Sequence, residues 1–113
     1  MQFPKISIVT VVFNNKEYIE RCIRSVLDQQ YPNLEYIVID GGSTDGTVDI
    51  IEQFRDRLAY YVSEKDSGQT NALNKGFSKA TGDVFAWINA DEAYLPGTLR
   101  KVGKAFQRKD SLD

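Results

Sequence analysis

Apolar residues in this chain follow two rhythms. Ile6-Ser7-Ile8-Val9-Thr10-Val11-Val12 and Leu34-Glu35-Tyr36-Ile37-Val38-Ile39-Asp40 are short, β-branched and almost continuously apolar. That is the pattern of strands buried on both faces. Val84-Phe85-Ala86-Trp87-Ile88, bounded by Gly82-Asp83 and by Asn89-Ala90-Asp91-Glu92, predicts another such strand, with Trp87 in the core. A shorter strand is predicted over 58–63. Between these runs the period changes to that of a helix. Ile19, Cys22, Ile23, Val26 and Leu27 mark one face of a helix over 16–29, with Asn14 or Asn15 available as its cap. Val48, Ile51 and Phe54 mark a second helix, entered through Thr44 or Asp45. Ala72, Leu73, Gly76, Phe77 and Ala80 mark a third, in which Gly76 predicts close packing. Leu99, Val102 and Phe106 mark a fourth, with Pro96 near its first turn and a polar tail, 109–113, expected to fray.

The resulting order, βαβαβαβα, predicts one α/β domain over residues 1–113. It is a three-layer α/β/α arrangement with a mostly parallel, Rossmann-like sheet and right-handed crossovers. In such a sheet every strand ends on the same edge, and ligands bind there. Polar residues gather at three of those ends: Thr10 to Asn14, Asp40 to Asp45, and Asn89 to Glu92.

Composition narrows the chemistry. The chain has no His and one Cys, which argues against a structural zinc site and removes Ser-His-Asp and Cys-His catalysis. A bound metal would be held by oxygen, which points to Mn²⁺ or Mg²⁺. With 14 Lys+Arg against 16 Asp+Glu, no nucleic-acid partner is expected. No run approaches the roughly 20 apolar residues of a membrane span. The N-terminal residues lack a secretory apolar segment, so a cytoplasmic location is expected, extending to the inner face of the membrane.

The local patterns leave alternatives open. Asp40 can accept a ring N–H from a base, or it can cap the turn that follows it. Asp91 and Glu92 can share a divalent metal, or they can form a solvated acidic turn. Two carboxylates about 4 Å apart repel by about 4 kcal/mol at an effective dielectric near 20, a cost that a cation removes. Arg21, Arg24 and Lys75 read as solvated helix residues and Cys22 as core. Gly41-Gly42 does not match a phosphate-loop motif.

Taken together, Ile8 to Asn15, Ser25 to Thr47, Asn74-Lys75-Gly76 with Ala80-Thr81-Gly82, and Ile88-Asn89-Ala90-Asp91-Glu92 with Tyr94-Leu95-Pro96-Gly97 resemble family 2 glycosyltransferases in order and spacing. The resemblance covers nearly the whole chain. It implies a GT-A fold and inverting transfer of a hexosyl or related group from a nucleoside-diphosphate sugar, often UDP-linked, with a divalent metal. By resemblance, Thr10 and Phe13 match positions lining the nucleoside pocket, and Asn14 beside them joins the nucleotide-binding set. Asp40 matches the acid that reads the base, Asp91 the metal or ribose-diphosphate acid, and Glu92 its neighbour in the metal site. Glu92 stands where the family more often has Asp, and Val11-Val12 where its nearer members have Pro-Ser.

Family members extend well beyond the helix after Pro96, and that part carries the acceptor site and the general base. The chain therefore reads as a truncated, donor-binding half, inactive in transfer by itself. A carbohydrate or lipid-linked acceptor is expected in the full-length enzyme, and self-association through the face that the missing half would cover. The competing reading is a non-catalytic nucleotide-binding or assembly module that keeps the fold.

Overall fold

The computed structural model describes residues 3–112, and for 108–112 the backbone alone. Met1, Gln2 and Asp113 lie outside the described residues. Strands β1 (Ile6–Val12), β2 (Leu34–Asp40), β3 (Tyr60–Ser63) and β4 (Val84–Asn89) alternate with helices α1 (Ile19–Leu27), α2 (Thr47–Glu52), α3 (Gln69–Lys79) and α4 (Thr98–Leu112). The sheet is parallel throughout, in the order β3-β2-β1-β4. The α/β class and parallel sheet are those expected.

β1 lies at the centre, and its alternation divides the core. Ile6, Ile8 and Val12 face a cluster with Ile19, Cys22, Ile23 and Val26 of α1, Ile51 of α2 and Leu99 of α4. Val9 and Val11 face the opposite side, where Ala72 of α3 packs with Ile37 and Ile39 of β2. Gly76 brings α3 onto that side closely: a Cβ there would lie 2.5 Å from Val9 Cγ1. Glycine costs helix stability but permits this approach.

Three expectations are corrected. β4 is an edge strand, not a strand buried on both faces. Val84 and Ile88 are buried, but Phe85 and Trp87 are 51% and 44% exposed. The reason is coverage. α3 packs mainly over β1 and β2, so β4's side chains on that face are covered only by the edge of the helix. There Phe85 stacks on the ring of Phe77 of α3 at 5.9 Å. Second, α1 begins at Ile19 rather than near 16, because the Asn15 carbonyl accepts the N–H groups of Tyr18 and Ile19 in a turn ahead of it. Neither Asn14 nor Asn15 caps it through a side chain. Third, α4 runs through the polar tail as far as Leu112. None of the described helices is long and apolar enough to cross a membrane.

Candidate functional site

The chain moves from β1 outward to β2 and β3, then returns to place β4 on the other side of β1. The topology therefore switches between β1 and β4, the place where an open α/β sheet leaves a crevice at its carboxyl edge. A cavity of about 730 Å³ lies there. Val11 and Val12 line it from the end of β1, Phe13 from just after β1, and Gly41 and Gly42 from the loop after β2. Lys65 and Asp66 follow β3, and Asn89, Ala90 and Asp91 end β4. Gly68 and Gln69 bring the start of α3 to the same space. Amide N–H groups and the positive end of the helix dipole favour an anion there.

The sequence-predicted residues divide into two groups. Phe13 and Asp91 line the cavity. Phe13 is 61% exposed, an aromatic surface that the core does not use. Asp91 is exposed and its carboxylate makes no hydrogen bond to the described residues, while its backbone carbonyl accepts Arg21 at 3.0 Å.

Thr10, Asn14, Asp40 and Glu92 do not contribute side chains to the cavity lining. Thr10 is fully buried and shares a 2.7 Å hydrogen bond with the Tyr36 hydroxyl, next to Cys22. Burial raises the pKa of both Tyr36 and Cys22, so this network stays uncharged near neutral pH. Asn14 Oδ1 accepts the Thr44 N–H at 2.8 Å, and its own N–H donates to Ser43 Oγ at 2.7 Å. It straps the loop after β1 to the loop after β2, in the left-handed conformation that asparagine tolerates.

Asp40 has no exposed surface. Its Oδ2 accepts the N–H groups of Gly42 at 3.0 Å and Ser43 at 2.8 Å and the Ser63 hydroxyl at 2.8 Å, while Oδ1 accepts the Ser43 hydroxyl at 2.6 Å. Here the turn-capping alternative describes the contacts. A carboxylate with four donors already in place holds the β2–α2 loop. Glu92 turns back on its own strand, where Oε1 accepts the Asn89 N–H at 2.9 Å.

Asp66 was missed. It follows the end of β3 and precedes Ser67-Gly68 at the start of a helix, the same setting that singled out Asp40 and Asp91. Gln69 was missed as well; its Nε2 donates to Asn89 Oδ1 at 2.8 Å and ties α3 to the end of β4 across the cavity.

Among the described residues, no group of three or more His, Cys, Asp and Glu is gathered as a metal cage. A hard divalent cation does not require one. Mg²⁺ is commonly held by one or two carboxylates together with substrate phosphates and water. The unpartnered carboxylate of Asp91 fits that mode, whereas Glu92 holds the Asn89 amide through Oε1 and does not line the cavity, although its Oε2 is unengaged by the described residues.

The family model for glycosyl transferase family 2 matches residues 7–112. The chain belongs to glycosyltransferase family 2. It is 37% identical over 101 residues to TuaG of Bacillus subtilis, a glycosyltransferase named for teichuronic acid biosynthesis, covering 87% of this chain and 40% of that protein. Among solved structures it superposes on S. aureus TarS with a TM-score of 0.84 at 26% identity, covering 92% of this chain and 32% of the other. It also superposes on the mannosyltransferase PcManGT of Pyrobaculum calidifontis, solved with GDP-Man and Mn²⁺. There the TM-score is 0.78 at 29% identity, covering 88% of this chain and 31% of the other. The fold is that of the GT-A glycosyltransferases, as the sequence resemblance implies. The chain spans 40% of TuaG, 32% of TarS and 31% of PcManGT.

Proposed function

We propose that this family 2 chain is a single donor-binding domain of an inverting glycosyltransferase that uses a nucleoside-diphosphate sugar, with UDP the expected nucleotide and a divalent cation as partner. One observation carries the reading: the carboxyl-edge cavity brings an exposed aromatic ring, an unpartnered carboxylate and a helix N-terminus into one space. A base stacks on Phe13, and the diphosphate lies toward the start of α3 and Asp91. Asp91 would hold the cation, which supplies charge neutralisation on the departing diphosphate. Thr10, Asn14 and Asp40 serve this site by fixing the strand end and the two loops around it. The Mn²⁺ and GDP-Man present with PcManGT support the donor class and the metal.

The acceptor, a carbohydrate or a lipid-linked one, and the general base belong in this proposal to the remainder of a longer enzyme acting in the cytoplasm or at the inner membrane face. Calorimetric titration of UDP, GDP and dTDP with and without Mn²⁺ tests the reading. Binding at millimolar concentration or tighter, strengthened by Mn²⁺, is expected. If none of the three binds at millimolar concentration, the donor-site reading fails. Sugar transfer by this chain alone to an added acceptor would overturn its assignment as an inactive half.

A further inference from the structure

Position 41 follows the last residue of β2, Asp40, and it has no side chain. The space that a side chain would enter is already filled. A Cβ on Gly41 would lie 3.0 Å from Asp66 Oδ2, 3.2 Å from Oδ1 and 3.3 Å from Cγ. The carboxylate of the β3–α3 loop thus takes the place that a residue on β2 would otherwise hold. Its orientation is set locally: Oδ1 accepts the Gly68 N–H at 3.0 Å, in a turn where Gly68 has φ +122°, a conformation that L side chains rarely adopt. Among the described residues none donates to Oδ2. One oxygen is anchored and the other is an unused acceptor on the cavity wall.

We propose that Asp66 sets the nucleotide specificity of this cavity by accepting the ring N–H of the donor's base. The proposal rests on the reading of the cavity as a nucleotide-sugar site. Stacking on Phe13 is nearly indifferent to which base is bound, because every base has a π-face. Discrimination must come from the base edge, and an ionised carboxylate there can only accept. Uracil, thymine and guanine present a ring N–H. Cytosine and adenine present a ring nitrogen lone pair at the corresponding position, which a carboxylate opposes. Asp40 is fully engaged in its loop. Asp91 stands at the end of β4, where the proposed function places the diphosphate. Asp66 is left as the carboxylate with a free oxygen on the β2–β3 side of the cavity.

The test compares UDP and CDP affinities by calorimetry in Mn²⁺, for the wild type, Asp66→Asn and the exchange pair Gly41→Asp/Asp66→Gly. The wild type is expected to favour UDP by about tenfold or more, the scale of one hydrogen bond to a charged group. In Asp66→Asn, which keeps an acceptor for Gly68, that preference collapses because an amide can serve either base. In the exchange pair the preference returns, because a carboxylate on residue 41 enters the same space. Equal weakening of UDP and CDP in Asp66→Asn, with their ratio unchanged, would move the contact to the ribose and overturn the proposal. So would an exchange pair that folds, binds UDP and shows no preference. A wild type that binds neither nucleotide defeats the donor-site reading itself, a different result from a wild type that binds both without a role for Asp66.

Discussion

Asn89 and Glu92 close on each other from both sides: the Glu92 carboxylate accepts the Asn89 N–H, and the Glu92 N–H donates to the Asn89 carbonyl, both at 2.9 Å. This double contact turns the chain sharply after β4 and leaves Asp91 between them exposed at the cavity. The two adjacent acids therefore have separate tasks. Asp91→Asn is expected to remove the Mn²⁺ enhancement of nucleotide binding. Glu92→Gln, which keeps an acceptor for Asn89, should retain most of it. Titrations with and without Mn²⁺ on the two variants decide the matter; equal loss in both would put Glu92 in the metal site.

Phe13 contributes little to the core, being mostly exposed. Phe13→Ala should leave the urea midpoint close to that of the wild type. Nucleotide affinity should fall by about 1–3 kcal/mol, the usual value of a base–aromatic stack. An unchanged dissociation constant would remove Phe13 from the site.

Asp40 should behave in the opposite way. Its replacement strands the amides of Gly42 and Ser43 and the hydroxyl of Ser63 at once. Hydrogen bonds to a charged group contribute about 1.5–3 kcal/mol each and are not additive, so Asp40→Ala should cost about 3 kcal/mol in urea unfolding. A variant of wild-type stability with altered base preference would return Asp40 to the role that the family resemblance implies.

At the amino edge of the sheet, Glu35 provides a pH test. Burial alone would raise its pKa. The Ser7 hydroxyl, the N–H and hydroxyl of Thr81, and Lys5 at 3.5 Å prevail and hold it at about 2, against an ordinary 4.5. The folded state thus favours the ionised form. The stabilisation is complete above about pH 4.5 and is lost as the pH falls toward 2. Linkage limits it to about 3 kcal/mol. Glu35→Gln should be less stable at neutral pH and show a shallower decline of stability across that acid range. Parallel urea titrations at pH 3 and 7 measure the difference.

Gly76 tests the packing of α3. A methyl group added there meets Val9 Cγ1 at 2.5 Å, with Cγ2 at 3.0 Å. Gly76→Ala gains helix propensity, about 1 kcal/mol, but overpacking costs about 1–3 kcal/mol. A net loss is expected, partly recovered in Gly76→Ala/Val9→Ala relative to the sum of the single changes. Additive single effects would show that α3 does not rest on Val9 as described.

The periodic elements were legible because a strand or helix in a packed domain must repeat its apolar positions. β1, β2 and α1 appear where that repeat is strongest. β4 was read correctly as a strand and incorrectly as doubly buried. Phe85 and Trp87 are apolar in any context, and only the position of α3, mainly over β1 and β2, leaves them half exposed. At the site, Asp91 was recognisable as an acid ending a buried strand. Asp40 has the same local signature yet faces Ser43 and Ser63, since Ser63 is brought to it by the β2–β3 pairing and not by nearness in sequence.

The sequence by itself determined the alternation of strands and helices, the parallel sheet, the family and the edge on which a ligand would bind. These follow from local periodicity and from the short connections it leaves. Only the tertiary structure decided which carboxylates at that edge are free. A side chain's hydrogen-bonding capacity is consumed by whatever partners the fold brings within reach. Asp40 meets four donors, Glu92 meets Asn89, and Asp66 fills the space that Gly41 leaves open.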